Sequence, residues 1–161
     1  MDGIPLTSLD FVISAHVIEH LFDPIGAILS SVARLRHGAT CLLVVPEMTK
    51  TWDRRRPPTT LEHVIADSKD AGAGTRLQAY IEHVSFVHPE ITGEEIPDAD
   101  VPAHARNLMS TGMDLHVHAW RERDFREMLN YVAPHASFRI DAALSVQNEN
   151  LYVLRRTGRG E

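Results

Sequence analysis

Leu9-Asp-Phe-Val-Ile-Ser-Ala-His-Val-Ile-Glu-His-Leu-Phe-Asp-Pro24 is the stretch that decides the fold. Phe11 to Ala15 is a short, almost continuously apolar run with aromatic and β-branched residues, the pattern of a strand covered on both faces and so of a parallel sheet. Asp23-Pro24 then supplies an N-cap and a first-turn proline. Ile25, Ile28, Leu29, Val32 and Leu35 follow at helical spacing until His37-Gly38 closes the helix. Thr40-Cys-Leu-Leu-Val-Val-Pro46 reads as a second buried strand, so the first 46 residues form a strand–helix–strand unit with a right-handed crossover expected. An α/β protein normally sets such a strand deep inside a sheet. A chain that meets it this early is expected to be the later part of a larger fold.

Residues 47–120 differ in character and read as a helical and loop insertion within a single domain, 1–161. Thr49 to Pro58 is a polar, basic loop ahead of the capped helix Thr59-Thr-Leu-Glu-His-Val-Ile-Ala-Asp67. Ala71-Gly-Ala-Gly74 breaks that helix, and Arg76 to Phe86 forms another with Leu77, Tyr80, Ile81 and Val84 on one face. His88 to Pro102, acidic and punctuated by Pro and Gly, is expected to be a surface loop. Glu122 to Val132 places Phe125, Met128, Leu129 and Val132 on an apolar helix face, with Pro134 as its stop. Ala136–Val146, a turn at Gln147-Asn-Glu-Asn150 and Leu151–Leu154 predict a terminal antiparallel hairpin, followed by a frayed basic tail, Arg155 to Glu161.

Composition narrows the class. The 161 residues are 43% hydrophobic, enough to bury one core, and carry a net charge of −6, which gives no overall attraction to nucleic acid or an anionic membrane. No apolar run approaches the ~20 residues of a membrane span, and Met1-Asp2-Gly3 lacks the basic start of a signal peptide. The lone Cys41 excludes an intrachain disulfide and suits a reducing cytoplasm, where it is expected to be a small core residue.

Three clusters carry chemistry. His16-Val-Ile-Glu-His20 fits the H-x-x-E-H pattern of inverted zinc peptidases, with Glu62-His63 or Glu82-His83 as nominal distal ligands, although Asp23-Pro24 cuts the pattern short of the helix it needs. His116 and His118 alternate along an extended segment led by Asp114, which points both rings to one face and makes them candidates for a catalytic base or a metal pair; Trp120 is expected to pack. Arg54, Arg55 and Arg56, beside two prolines, could receive a phosphate or carboxylate of a substrate.

The run Asp10-Phe-Val-Ile-Ser-Ala-His-Val-Ile-Glu-His-Leu-Phe-Asp-Pro24, continued by His37-Gly38 and Leu42-Leu-Val-Val-Pro46, resembles the fourth and fifth strands of class I S-adenosylmethionine-dependent methyltransferases, particularly the type 11 group. Trp52-Asp-Arg-Arg-Arg-Pro-Pro-Thr-Thr-Leu-Glu-His63 and Asp114-Leu-His-Val-His-Ala-Trp120 resemble a subgroup of bacterial methyltransferases of unassigned acceptor. The resemblance implies a partial Rossmann-like α/β fold of parallel strands and flanking helices ending in the hairpin, with methyl transfer from S-adenosylmethionine to a small-molecule or glycan acceptor.

It further implies cofactor contact at Ser14, Ala15 and His16, acceptor contact at Glu19 and the three arginines, and catalytic roles for His20, His116 and His118, with no metal. Asp10, at the opposite strand end, would be structural. The family's Gly-rich turn and its acidic partner are not matched, since Ala71-Gly-Ala-Gly74 lacks the flanking strand; the expected cofactor cleft has one wall. A second reading makes the chain a non-catalytic subunit that assembles, as a homodimer or with a complementing chain, through an open strand edge at 10–14.

Overall fold

The computed structural model describes residues 3–158; Met1-Asp2 and the end of the basic tail, 159–161, lie outside the described residues. A four-stranded mixed sheet is packed on one face by helices, with a small helical layer inserted above the strand ends. β1 (Leu9–Ala15) leads through a short 3-10 turn at Ile18–His20 into α1 (Pro24–Arg34) and back to β2 (Leu35–Pro46), which runs parallel to β1. Asp23 caps α1 by accepting from the Gly26 amide at 2.7 Å. Ile25, Ile28 and Val32 bury the inward stripe, each worth about 1.5–3 kcal/mol relative to exposure.

The helix ends three residues earlier than the His37-Gly38 signal predicts. Leu35, fully buried, draws the chain straight into β2, and Gly38 becomes part of a bulge with φ +75°, where Leu9 pairs with Leu35 but Phe11 already pairs with Thr40. Across the bulge Arg36 pairs with Asp10 at the exposed start of β1, the strand end opposite the cavity.

Two 3-10 turns, Met48–Lys50 and Trp52–Arg55, replace the expected open loop. α2 (Leu61–Asp70) is capped by Thr60, whose hydroxyl accepts from the His63 amide, and ends at Ala71 in the left-handed region. α3 (Arg76–Glu82) continues through a π-helical turn at His83–Val87 into α4 (His88–Thr92), and α5 (Val101–Thr111) follows. The acidic loop expected over 88–102 is thus corrected to helix at 88–92 and 101–102, while 93–100 is a mostly exposed loop. Pro89 occupies a first helical turn, where its missing amide costs nothing, and Val101 and Ala105 bury against Tyr80 and Val84 in a second small core.

α6 (Glu122–Ala136) runs past Pro134 and stops only at Ser137, in the left-handed region, because a proline in the last turn loses one bond without barring another turn. β3 (Phe138–Val146) and β4 (Glu149–Arg156) form the predicted hairpin, and β4 inserts beside β2 to give the order β1-β2-β4-β3. β3 and β4 are antiparallel to each other, and β4 is antiparallel to β2.

One sheet face, with Cys41, Leu43, Val45, Tyr152 and Leu154, packs on α1, α2 and α6. The opposite face is bare: Phe11, Ile13 and Leu144 are each more than half exposed there, and Val146 extends the patch. β1 therefore corrects the reading of a strand covered on both faces. Cys41 is a free, buried core thiol, its pKa pushed up by burial to about 12. Among the described residues no helix is long and apolar enough to cross a membrane.

Candidate functional site

β1 and β2 end side by side at Ala15 and Pro46, and a cavity of about 410 Å³ opens beyond their carboxyl ends. Its polar lining comes from the turn after β1 (His16, His20), the 3-10 turn after β2 (Asp53) and the segment before α6 (Asp114, His116); Val87 and Met113 contribute apolar wall. Residues 113–121 form no strand. They are fixed by backbone pairing of the His118 amide to the Glu19 carbonyl, of the Thr59 amide to the Ala119 carbonyl, and of the Met48 amide to the Trp120 carbonyl.

The two histidines that meet at the cavity are each backed by a carboxylate. His116 Nδ1 lies 2.6 Å from Asp53 Oδ2, and His20 Nδ1 lies 2.9 Å from Asp114 Oδ1. The two rings meet edge to face with centroids 4.9 Å apart. Burial lowers the pKa of His116, but the hydrogen bond and charge of Asp53, helped by Glu19, outweigh it and leave it above the usual imidazole value. Burial likewise opposes ionisation of Asp53, yet His116 and Arg56 hold it below the ordinary carboxylate range. His83, at the cavity wall, is pushed down by burial and by the charge of Arg56, so it stays neutral near pH 7.

Glu19 lies beneath the cavity, in a narrow space bounded also by Asp53 and His116. It is 1% exposed, and neither carboxylate oxygen has a hydrogen-bond partner among the described residues. His16 Nδ1 stands 3.4 Å from Glu19 Oε1 and His20 Nε2 stands 4.0 Å from it.

The helix that the H-x-x-E-H pattern needs is not formed. His16 is in the left-handed region with φ +52°, and only Ile18–His20 turn as 3-10 helix, because Asp23-Pro24 starts a new helix four residues on. His16 Nε2 goes instead to Glu149 at the far end of the hairpin, 2.8 Å away. Of the nominal distal ligands, Glu82 is engaged by Arg56 and His63 by Asp67 at 3.1 Å, while His83 lies in the cavity wall.

The arginine run separates. Arg56 turns inward, 1% exposed at its side chain, and donates to Asp53 (3.0 Å), Glu82 (3.0 Å) and the carbonyls of His116 (2.7 Å) and Val117 (3.0 Å). It is a clamp behind the site, with no free edge for a substrate. Arg54 pairs with Glu90, and Arg55 with Glu90 and Glu95, on the surface outside the cavity lining.

His118 is separated from its neighbour two residues earlier. It is sealed at 1% exposure, stacked on Trp120 with centroids 5.0 Å apart and next to Asp67, and burial drives its pKa to about 3. A neutral ring in that position belongs to the aromatic core that runs through Trp120 and Phe125 to Tyr152. Asp53, which holds His116, carried no role in the sequence reading; one acid inside a basic run was the only signal.

Ser14 is half-buried in a shallow groove against α1, while Ala15 and His16 are exposed. Beside an open strand edge these three residues offer a cofactor as large as S-adenosylmethionine a single wall and do not enclose it. A scan of protein-family models gives no match to this chain, and a search of curated proteins gives none either.

Proposed function

We propose that the chain forms the acceptor side of a Rossmann-like, class I methyltransferase, taking a small-molecule or glycan hydroxyl or amine in the cavity beyond β1 and β2. The observation that carries this reading is the position of the Asp53–His116 pair: a carboxylate-held imidazole at the carboxyl ends of parallel strands, where open α/β sheets bind ligands. A parallel strand–helix–strand unit followed by an antiparallel hairpin supports it, as the family resemblance expects.

The roles follow from the geometry. Asp53 keeps the His116 proton on Nδ1, which leaves Nε2 as the lone pair able to accept a proton from the acceptor. Val87 and Met113 exclude water from one wall, and Trp52, 56% exposed at the rim, offers a flat surface to a ring. Reactions of this kind draw much of their acceleration from alignment, so the cavity's shape carries more of the burden than acid–base power.

Calorimetry tests the reading. S-adenosylmethionine and S-adenosylhomocysteine should show no saturable binding to this chain alone. They should bind when a strand–turn–helix segment carrying the family's Gly-rich turn is supplied in trans, and labelled methyl should then reach an acceptor. Absence of binding and of transfer in both arrangements overturns the proposal; tight binding to the chain alone refutes the one-walled cleft.

The bare sheet face favours a second reading, assembly through β1. Its outer edge has no partner strand among the described residues, and Phe11 and Ile13 stand 64% and 61% exposed beside it. Light scattering that shows a monomer over a wide concentration range would count against it.

A further inference from the structure

The methyl-transfer reading leaves Glu19 unexplained. An ionised carboxylate shut away from water with no hydrogen bond is among the costliest arrangements in a protein unless a cation meets it. Glu19 cannot swing out: its neighbour Ile18 is anchored in the main core, and its own carbonyl accepts the His118 amide at 3.1 Å. The side-chain nitrogens nearest it are the imidazoles of His16 and His20, with His116 and the Asp53 carboxylate lining the same space.

Two of these imidazoles are set as metal ligands are set. His20 and His116 each engage a carboxylate through Nδ1, which fixes the ring and leaves Nε2 as the coordinating nitrogen. One ligand atom from each of Glu19, His20 and His116 lies within 4.8 Å of the others. Ligand atoms around a tetrahedral zinc ion stand about 3.3 Å apart, so side-chain rotations of about 1 Å close the set.

We propose that Glu19, His20 and His116 hold one divalent transition-metal ion of the zinc class at the floor of the cavity, with Asp114 and Asp53 orienting the two imidazoles. Two histidines and a carboxylate suit such an ion and leave coordination positions directed at the cavity, as a site that binds an exogenous ligand requires. This is a different arrangement from the H-x-x-E-H pattern: the glutamate is a ligand, and the second histidine comes from a segment about a hundred residues away. In the other histidine–carboxylate group, Asp67 and His118 are sealed in the core and only His63 reaches a smaller, separate cavity, so an ion there would have a single ligand facing solvent.

The inference does not rest on methyl transfer: a His116 Nε2 that holds the ion cannot also take the acceptor's proton, so in the loaded site the base role given to it above lapses, and metal binding is read with no donor present. The chain is stripped with dipicolinate, then titrated with zinc against a chromophoric chelator and with cobalt in the visible range. One zinc per chain is expected, with a cobalt spectrum free of thiolate charge transfer, since Cys41 is remote in the core.

Glu19→Gln and His20→Asn should weaken zinc by about 100-fold or more, and Asp114→Asn, at a mostly exposed carboxylate, by about 10-fold or more. His63→Asn should leave zinc affinity unchanged. Circular dichroism checks folding, and if Glu19→Gln or His20→Asn fails to fold, Asp114→Asn decides. No stoichiometric binding by the wild-type chain, affinity unchanged in the folded variants, or loss in His63→Asn alone would each overturn the site.

Discussion

Arg56→Met should unfold this protein more readily than any other single change near the cavity. The guanidinium is buried and makes four hydrogen bonds, two to carboxylates and two to carbonyls of the segment 116–117, which has no sheet partner to hold it. Methionine fills much of the volume but leaves Asp53, itself 3% exposed, with one cationic neighbour fewer, and frees both carbonyls inside the protein.

Breaking a buried ion pair from one side costs about 3–5 kcal/mol. At about 2–4 °C per kcal/mol for a chain of this size, the melting temperature should fall by about 6–20 °C. Arg56→Lys keeps the charge but has a single point of attachment where the fork has several, and should recover less than half of the loss. Denaturant unfolding followed by Trp120 fluorescence and circular dichroism measures both, with the midpoint moving and the slope unchanged. A shift of less than about 0.5 kcal/mol for Arg56→Met, the level of an ordinary surface change, would refute the clamp.

Three further outcomes are expected. Glu47 accepts from Asn150 and from the Glu122 amide at the start of α6, both at 2.9 Å; burial opposes its ionisation, but these bonds and those from Thr49 hold its pKa below the usual value. A depressed pKa stabilises the fold above the unfolded carboxyl value and loses that contribution as pH falls through the folded one. Glu47→Gln should therefore flatten the acid limb of a stability–pH curve below about pH 4.3, and an unaltered limb would remove Glu47 from the account.

Cys41 should resist iodoacetamide in native buffer and react fully in denaturant; labelling at the same rate in both would contradict its place in the core. Phe11→Glu with Ile13→Lys should abolish any self-association seen by light scattering without lowering the melting temperature, since both side chains already face water.

The sheet was legible in the sequence because its signals are local. Asp23-Pro24 can only start a helix, and Thr40 to Pro46 and the terminal hairpin carry enough β-branched and apolar residues to name themselves. The errors lie where tertiary contact overrode a local sign: Gly38 became a bulge because Leu35 was already committed to the core, and Pro134 was absorbed into a last helical turn.

The cavity was legible only in part. His20 and His116 could be nominated from their surroundings, but their meeting depends on an irregular segment whose path is set by backbone bonds to Glu19, Thr59 and Met48. No periodicity encodes those bonds. The arginine run shows the same limit, since three identical neighbours have different fates according to which carboxylates the inserted helices bring near.

The hairpin reaches further than a rim decoration would. Its first turn residue, Gln147, is in the left-handed region, and the carbonyls of Gln147 and Asn148 receive Lys50 and the Glu47 amide, while Glu149 at the start of β4 holds His16. A two-residue bend thus moors the chain on both sides of the cavity mouth. Lengthening that bend by even one residue would loosen the entrance while leaving the strands registered, so the hairpin tip is the natural place to retune what the cavity admits.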